Sequence, residues 1–350
     1  MPTTPIDGGS GSLSVDTPAS AGFNRAFRKP MTDNVREEAL TAGAAAAPLA
    51  GTLRARRSRG ASAVAGVGID PDAWPTRAFL GAADMLGRYH RHQVVHLESL
   101  RRLLRSGRRV LLVGNHALDI VDPLLLLATV FRKLRRVPHF VGHENGWFRV
   151  PVLRDISARF GVIPSRRPEE AVAALRRDGF LMLYPGSIRE AGMRSYRDEP
   201  YRLKWEGRTG FLRVALEANA EVVFVAALGS EEAYYQSVLP TPEALIRLIN
   251  AGDSARYRGM PLTFGLLGLH LVPGVFPLPI RLTHVIAEPL DLGDRELARN
   301  DPESLAELHA RVWRDCQAFL DRVVANRARY SDPLDRSIRE AQRVLQSIGL

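Results

Sequence analysis

Apolar and polar residues fall into three regimes along the chain. Up to about residue 73 no period is sustained: the stretch is rich in Gly, Ser, Thr, Ala and Pro and carries a basic cluster at Arg54–Arg59. Such a composition buries too little apolar surface to offset the entropy of ordering, so residues 1–73 are expected to be a disordered leader. From Trp74 the residues Phe79, Leu80, Met85, Leu86, Val94, Val95 and Leu97 recur at helical intervals among basic side chains. This predicts an amphipathic helix through Arg105, either packed on the domain or lying on a membrane. From Arg108 the pattern changes to short apolar runs separated by helical segments. These are Val110–Val113, Leu124–Leu134, Phe140–Gly142, Trp147–Phe160, Val162–Ile163, Ala171–Arg177, Phe180–Tyr184, Thr209–Ala218 and Val222–Leu228. The alternation predicts an α/β fold, a mixed and largely parallel sheet flanked by helices. The stretch Leu262–Leu282 is strongly apolar but broken by Gly and Pro, which predicts a loop or hairpin. Helical spacing returns at Pro302–Ala325 and Asp332–Ile348. The expected organisation is a leader over 1–73, one domain over 74–330 and a C-terminal helix over 331–350, without internal repeats.

Composition narrows the partners. Lys and Arg exceed Asp and Glu by 48 to 38, a formal charge of +10 in 350 residues, which favours an anionic partner such as phosphate headgroups, nucleic acid or a phosphorylated substrate. The arginines are scattered through helical stretches, and no basic motif interleaved with aromatics is present, so nucleic acid is not expected. A single cysteine, Cys316, excludes an internal disulfide and reads as a small buried side chain on a helix. The first residues lack a basic start and apolar middle, and no run of eighteen apolar residues occurs anywhere. A cytoplasmic protein, peripherally associated with the membrane, is the expectation.

Three segments carry candidate chemistry. In Val110–Leu127 an apolar strand ends at Gly114-Asn115, and His116 falls at its carboxyl end, where α/β proteins bind ligands. Asp119 and Asp122 follow, and a carboxylate on one imidazole nitrogen would fix the tautomer and raise the basicity of the other, as general-base work on a hydroxyl requires. Asp122 before Pro123 is equally a good N-cap for a helix. In Phe180–Ala191 a second strand runs into Pro185-Gly186-Ser187, a turn that exposes backbone N–H groups, with Arg189 beside it as a phosphate ligand; a plain turn is the alternative. In Phe160–Arg167 a third strand leads to Arg166 and Arg167, which are otherwise solvated surface arginines.

Taken in order, His116 with Asp122-Pro123, then Gly161 and Arg166, then Pro185 and Arg189 resemble the blocks of the glycerolipid acyltransferase superfamily. The run Tyr184–Ala191, followed by Tyr201–Trp205 and Arg208–Ala218, looks most like the diacylglycerol-acyltransferase-like branch, where a P-G-G-V-R-E-A run precedes a similar helix. The likeness covers roughly residues 76–325. Two features depart from it. The usual block has four residues between His and Asp, which would place the Asp at Val121; Asp122 keeps the Asp-Pro context and is preferred, with Asp119 as runner-up. Gly186-Ser187 replaces the acidic-glycine pair of the phosphatidate enzymes, which argues against a phosphorylated glycerol acceptor.

The resemblance implies direct transfer of a fatty acyl group from a thioester, acyl-CoA or acyl carrier protein, to the hydroxyl of a glycerolipid, lysophospholipid or lipid alcohol, as in phospholipid biosynthesis. His116 would be the general base, oriented by Asp122. N–H groups of the Tyr184–Ser187 turn would meet the oxyanion, and Arg166 and Arg189 would hold phosphate. It implies no metal and no cofactor beyond the acyl donor. Leu124–Phe131 and Leu262–Leu282 would wall the acyl chain, enter the bilayer or serve as ordinary core, and an anionic membrane surface is a further expected partner. The alternative is an inactive, basic, membrane-binding protein of the same fold. A metal-dependent hydrolase is suggested by His92 and His96, four apart on the expected helix, but Gln93 stands where a zinc protease carries Glu and no third ligand follows. A serine hydrolase built on Ser187 lacks the G-x-S-x-G elbow.

Overall fold

A computed structural model describes residues 70, 72–117, 121–142, 157, 160–187, 190, 199–205, 207–240, 259–266, 268–270 and 277–347. Nearly all of the leader expected over 1–73 and of the segment Trp147–Phe160 lies outside them. Among the described residues the helices are α1 (Trp74–Tyr89), α2 (Leu97–Arg105), α3 (Val121–Leu134), α4 (Pro168–Asp178), α5 (Gly210–Ala218), α6 (Arg295–Asn300), α7 (Pro302–Ala325) and α8 (Pro333–Ser347). The strands are β1 (Gln93–Val95), β2 (Val110–Gly114), β3 (His139–Gly142), β4 (Val162–Pro164), β5 (Phe180–Leu183), β6 (Glu221–Leu228), β7 (Tyr235–Pro240), β8 (Gly259–Gly265), β9 (Gly268–His270) and β10 (Thr283–Pro289).

The main sheet has seven strands in the order β1-β10-β6-β2-β5-β3-β4. From β6 to β4 every pairing is parallel; β10 runs antiparallel to β6 and β1 parallel to β10. All residues of β2 and β6 are buried, as continuous apolar runs covered on both faces require. Alternate residues divide between two cores. Leu111, Val113, Val222, Phe224 and Ala226 face the side covered by α4, α5 and α7, where Leu175, Leu212 and Leu320 are fully enclosed. Val110, Leu112, Val223, Val225 and Ile286 face Leu100 and Leu104 of α2 and Leu126 and Val130 of α3. On the outer face of α3, Val121, Leu125 and Ala128 meet Ala83 of α1 together with Ile280 and Leu282. The Leu124–Phe131 run is therefore core. Cys316 is fully buried on α7, and burial pushes its thiol well up.

The helix expected from Trp74 to Arg105 is interrupted. The chain enters the left-handed region at Arg91 (φ 45°) and again at His96 (φ 62°), and between them Gln93-Val94-Val95 extends as a sheet edge paired with Thr283-His284-Val285. β-branched Val94 and Val95 suit that edge, and helical spacing alone does not reveal a partner nearly two hundred residues away. His92 and His96 consequently do not share a helical face: His92 turns inward, whereas His96 stands exposed before α2. Among the described residues no group of three His, Cys, Asp or Glu is placed to hold a metal ion. The apolar stretch after Gly259 contains the expected hairpin, β8 with β9, in a separate three-stranded antiparallel sheet with β7.

The C-terminal helix is fastened to the domain by charge. Asp335, only 1% exposed, accepts from Arg91 Nη2 at 2.7 Å and from the backbone N–H groups of Arg281 and Asp332 at 2.8 and 2.9 Å, while Arg91 Nε also meets Asp332 at 2.8 Å. Removing one partner of such a set leaves the other groups enclosed and unpaired. Asp335→Ala is expected to cost about 2–3 kcal/mol, read as a lower urea midpoint with an unchanged m-value; an unchanged midpoint would mean that the anchoring contributes nothing.

Candidate active site

Parallel strands finish on a common edge, and the register puts the candidate residues there. Val113 of β2 is level with Leu183 of β5, and Gly142 of β3 with Pro164 of β4. The turns that follow, carrying His116, Pro185-Gly186-Ser187 and Arg166, therefore leave the sheet at its carboxyl edge, where ligands of open α/β sheets bind. β2 and β5 are neighbours, so the first two turns adjoin. Arg166 is exposed and lies three strands from β2, about 14 Å at the usual strand spacing. Asp119 and Arg189 lie outside the described residues.

His116 is seated by its neighbours on every side. The preceding Asn115 is buried, and its side-chain amide takes over the ladder: Nδ2 donates to Ala227 O at 3.0 Å and Oδ1 accepts from Ala227 N at 2.7 Å. The backbone N–H of His116 donates to Glu190 Oε1 at 3.1 Å. Its ring stacks on Tyr184, with centroids 4.5 Å apart and planes 18° from parallel. That stacking depends on Gly114, where an added Cβ would stand 3.1 Å from the Tyr184 ring and 3.0 Å from Val225 O. Gly186 has the same kind of constraint, since a Cβ there would sit 1.7 Å from Glu190 Oε2. Arg208 Nη1 closes the turn by donating to the carbonyls of Pro185 and Gly186 at 3.3 and 3.0 Å.

Ser187 adopts φ 51°, and its N–H donates to Tyr184 O at 3.1 Å. A non-glycine residue in that region carries roughly 1–2 kcal/mol of strain, at the position where the resembling run has glycine. The Ser187 N–H is thus engaged within the turn, while the Gly186 N–H donates to no described group.

Asp122 lies in the first turn of α3 and has no exposed surface. It does not cap the helix. Its Oδ1 is bound instead by His284 Nε2 of β10, in a short charge-assisted contact. The other oxygen, Oδ2, is enclosed without a hydrogen-bond partner among the described residues, and so is Nδ1 of the half-buried His116 ring. The Asp122 charge acts on that ring. In this arrangement burial lowers the His116 pKa to about 4, against the opposing pull of Asp122. Tyr184, enclosed beside it, is pushed well up by burial and by the same charge.

The comparisons bear on this geometry. The family model described as Acyltransferase matches residues 91–227, the stretch from the loop before β1 to the end of β6. Over that stretch the chain is similar to the acyltransferase family. A chicken (Gallus gallus) protein named "DGAT1/2-independent enzyme synthesizing storage lipids" is 32% identical over 113 residues, which is 32% of this chain and 32% of that protein. "Phytyl ester synthase 2, chloroplastic" of Arabidopsis thaliana is 26% identical over 174 residues, 45% of this chain and 23% of that protein. The alignments thus cover at most about a third of either relative's length. β2, β5, nearly all of β6 and all the described motif residues fall inside the matched stretch, whereas His284 lies beyond it. No local motif marks His284; only the pairing of β10 with β6, His284 opposite Ala227, brings it to Asp122.

The pKa shifts give a stability prediction. Burial lowers His92 to about 3 and His116 to about 4, so between those values and 6.5 the unfolded chain holds protons that the folded chain does not. Stability is therefore full above pH 6.5 and falls as the pH drops. The His116 contribution to the loss is about 3 kcal/mol by pH 4. Urea titrations at pH 7, 5.5 and 4 should show the decline, made shallower by His116→Gln; identical pH slopes in both proteins would contradict the shift.

Proposed function

We propose that the protein moves a fatty acyl group from a thioester donor, acyl-CoA or acyl carrier protein, onto the hydroxyl of an uncharged lipid alcohol. The observation that carries this reading is an imidazole at the carboxyl edge of the parallel strands whose inner nitrogen is enclosed near a fully buried carboxylate. With Nδ1–H turned toward Asp122 Oδ2, the Nε2 lone pair of His116 is left for the acceptor. Nε2 takes the hydroxyl proton as the alcohol oxygen attacks the thioester carbonyl. The tetrahedral intermediate collapses, the C–O ester bond replaces the C–S bond, and the imidazolium returns its proton to the departing thiolate. Because Pro185 has no N–H and that of Ser187 is engaged, the Gly186 N–H is the donor in this turn that can meet the oxyanion. Exposed Arg166, and Arg189 by its place in the motif, are assigned to phosphate of the donor. An uncharged acceptor agrees with the absence of an acidic-glycine pair at Gly186-Ser187 and with the storage-lipid and phytyl-ester names of the two relatives.

Delivery of such substrates calls for contact with a membrane. No described helix is long and apolar enough to cross one. On α1, Trp74 (74% exposed) and Met85 (68%) form a stripe with exposed Ala78 and Ala82, bordered by exposed Arg77 and Arg88. With the +10 net charge this suits shallow binding to anionic lipid. Trp74→Glu combined with Met85→Glu is expected to reduce cosedimentation with phosphatidylserine vesicles at least tenfold while leaving the unfolding midpoint in place; unchanged cosedimentation would remove this face from the proposal.

The reaction itself is tested with purified protein, labelled acyl-CoA and a panel of diacylglycerol, lysophospholipid and long-chain or isoprenoid alcohols. Ester formation should be greatest with the uncharged alcohols. His116→Ala should lower kcat by about 10²–10⁴, and Asp122→Asn should be similarly impaired. Full activity in His116→Ala would end the general-base role, and loss in Asp119→Asn alone would move the pairing to Asp119.

A further inference from the structure

Behind Asp122 runs a line of polar side chains that the acyl-transfer step does not itself touch. His284 Nε2 contacts Asp122 Oδ1, His284 Nδ1 lies 2.9 Å from His92 Nε2, and His92 Nδ1 lies 3.4 Å from Thr129 Oγ1. The two imidazoles meet edge to face, with centroids 5.1 Å apart at 75°. His284 is 1% exposed and Asp122 0%, so solvent does not satisfy these atoms.

We infer that His284 is a positioning residue for the proposed His116 base, holding Asp122 in place at the head of a hydrogen-bond line from Thr129 through His92. This rests on the general-base reading above. Taken with one proton on each ring, the bonds have a single direction. A carboxylate only accepts, so the proton at the first contact sits on His284 Nε2. His284 Nδ1 is then an acceptor and receives Nε2–H of His92. Burial and the neighbouring His284 and His90 keep His92 neutral, so its Nδ1 is in turn an acceptor and takes the Thr129 hydroxyl proton. His90 does not compete as a donor to Asp122, because its Nδ1–H is directed to Ile280 O at 2.9 Å. Every donor in the line points toward Asp122.

The consequence for catalysis is physical. A carboxylate free to turn in its site could not fix the His116 tautomer. A donor on Oδ1 fixes the carboxylate plane and leaves Oδ2 as the acceptor that the general-base reading assigns to His116. The backbone reinforces the alignment. Ala227 is gripped by Asn115, the residue before His116, and pairs across β10 with His284, which pairs on its other side with Val94 two residues after His92.

The experiment compares His284→Leu, which fills space without a donor, with His284→Gln, whose amide can donate to Asp122 and accept from His92. With labelled acyl-CoA and the best acceptor, His284→Leu is expected to lower kcat about 10–100-fold with KM nearly unchanged, and His284→Gln to recover to within about fivefold of the parent. In a His116→Ala background, His284→Leu should change the residual rate less than about twofold, since a residue acting through the base has nothing left to act on. Parent activity in His284→Leu, equal loss in Leu and Gln, or the full loss repeated in the His116→Ala background would each overturn the assignment. A second readout needs no activity: proton NMR should show a far-downfield imidazole N–H resonance that Asp122→Asn and His284→Gln both abolish. Its absence from the parent would overturn the line. Its presence alongside full activity in His116→Ala would leave the line intact and refute the base.

Discussion

A carboxylate with no exposed surface must be given hydrogen-bond donors to offset its lost hydration, and much of the site geometry follows from how Asp122 meets that requirement. It sits in the first turn of α3, where the positive end of the helix favours an anion. One oxygen is bound by His284 from β10; the other is enclosed without a hydrogen-bond partner among the described residues. Two segments more than 160 residues apart thus converge on one charge, and the sheet register that brings them together is a condition of the chemistry proposed here.

The stationary part of that machinery is the carboxyl edge of β2, β5 and β6. Asn115 mimics a further ladder pair to Ala227, Glu190 takes the His116 backbone N–H, and Tyr184 lies flat against the imidazole. Glycines at 114 and 186 are needed because the ring and a carboxylate approach the backbone too closely for a side chain. An imidazole confined this way has little freedom left to lose on meeting a ligand, as the proposed base would require.

The fold was legible where the signal is local. The runs Val110–Val113, Phe180–Tyr184 and Val222–Leu228 are the central strands β2, β5 and β6, and the helices at Pro302–Ala325 and Asp332–Ile348 match α7 and α8 within a residue or two. Legibility failed where pairing is remote. Gln93–Val95 continues a helical rhythm in sequence yet forms β1, because its partner β10 lies far along the chain. The same distance hid His284 and the inward turn of His92, which spacing alone had set beside His96. His116 and Asp122 could be picked out as candidates because a strand end, a histidine and an Asp-Pro step stand close together, whereas the engagement of Asp122 by His284, and not as a helix cap, is visible only in three dimensions.

The most direct measurement is a crystal structure of the protein soaked with a non-hydrolysable acyl-thioester analogue. The account requires His116 Nδ1 within hydrogen-bond distance of Asp122 Oδ2, His284 still on Oδ1, and the thioester carbonyl oxygen near the Gly186 N–H with His116 Nε2 facing the open side of the carbonyl carbon. An Asp122 bound by His284 alone, with the His116 ring turned away from both the carboxylate and the thioester, would contradict it.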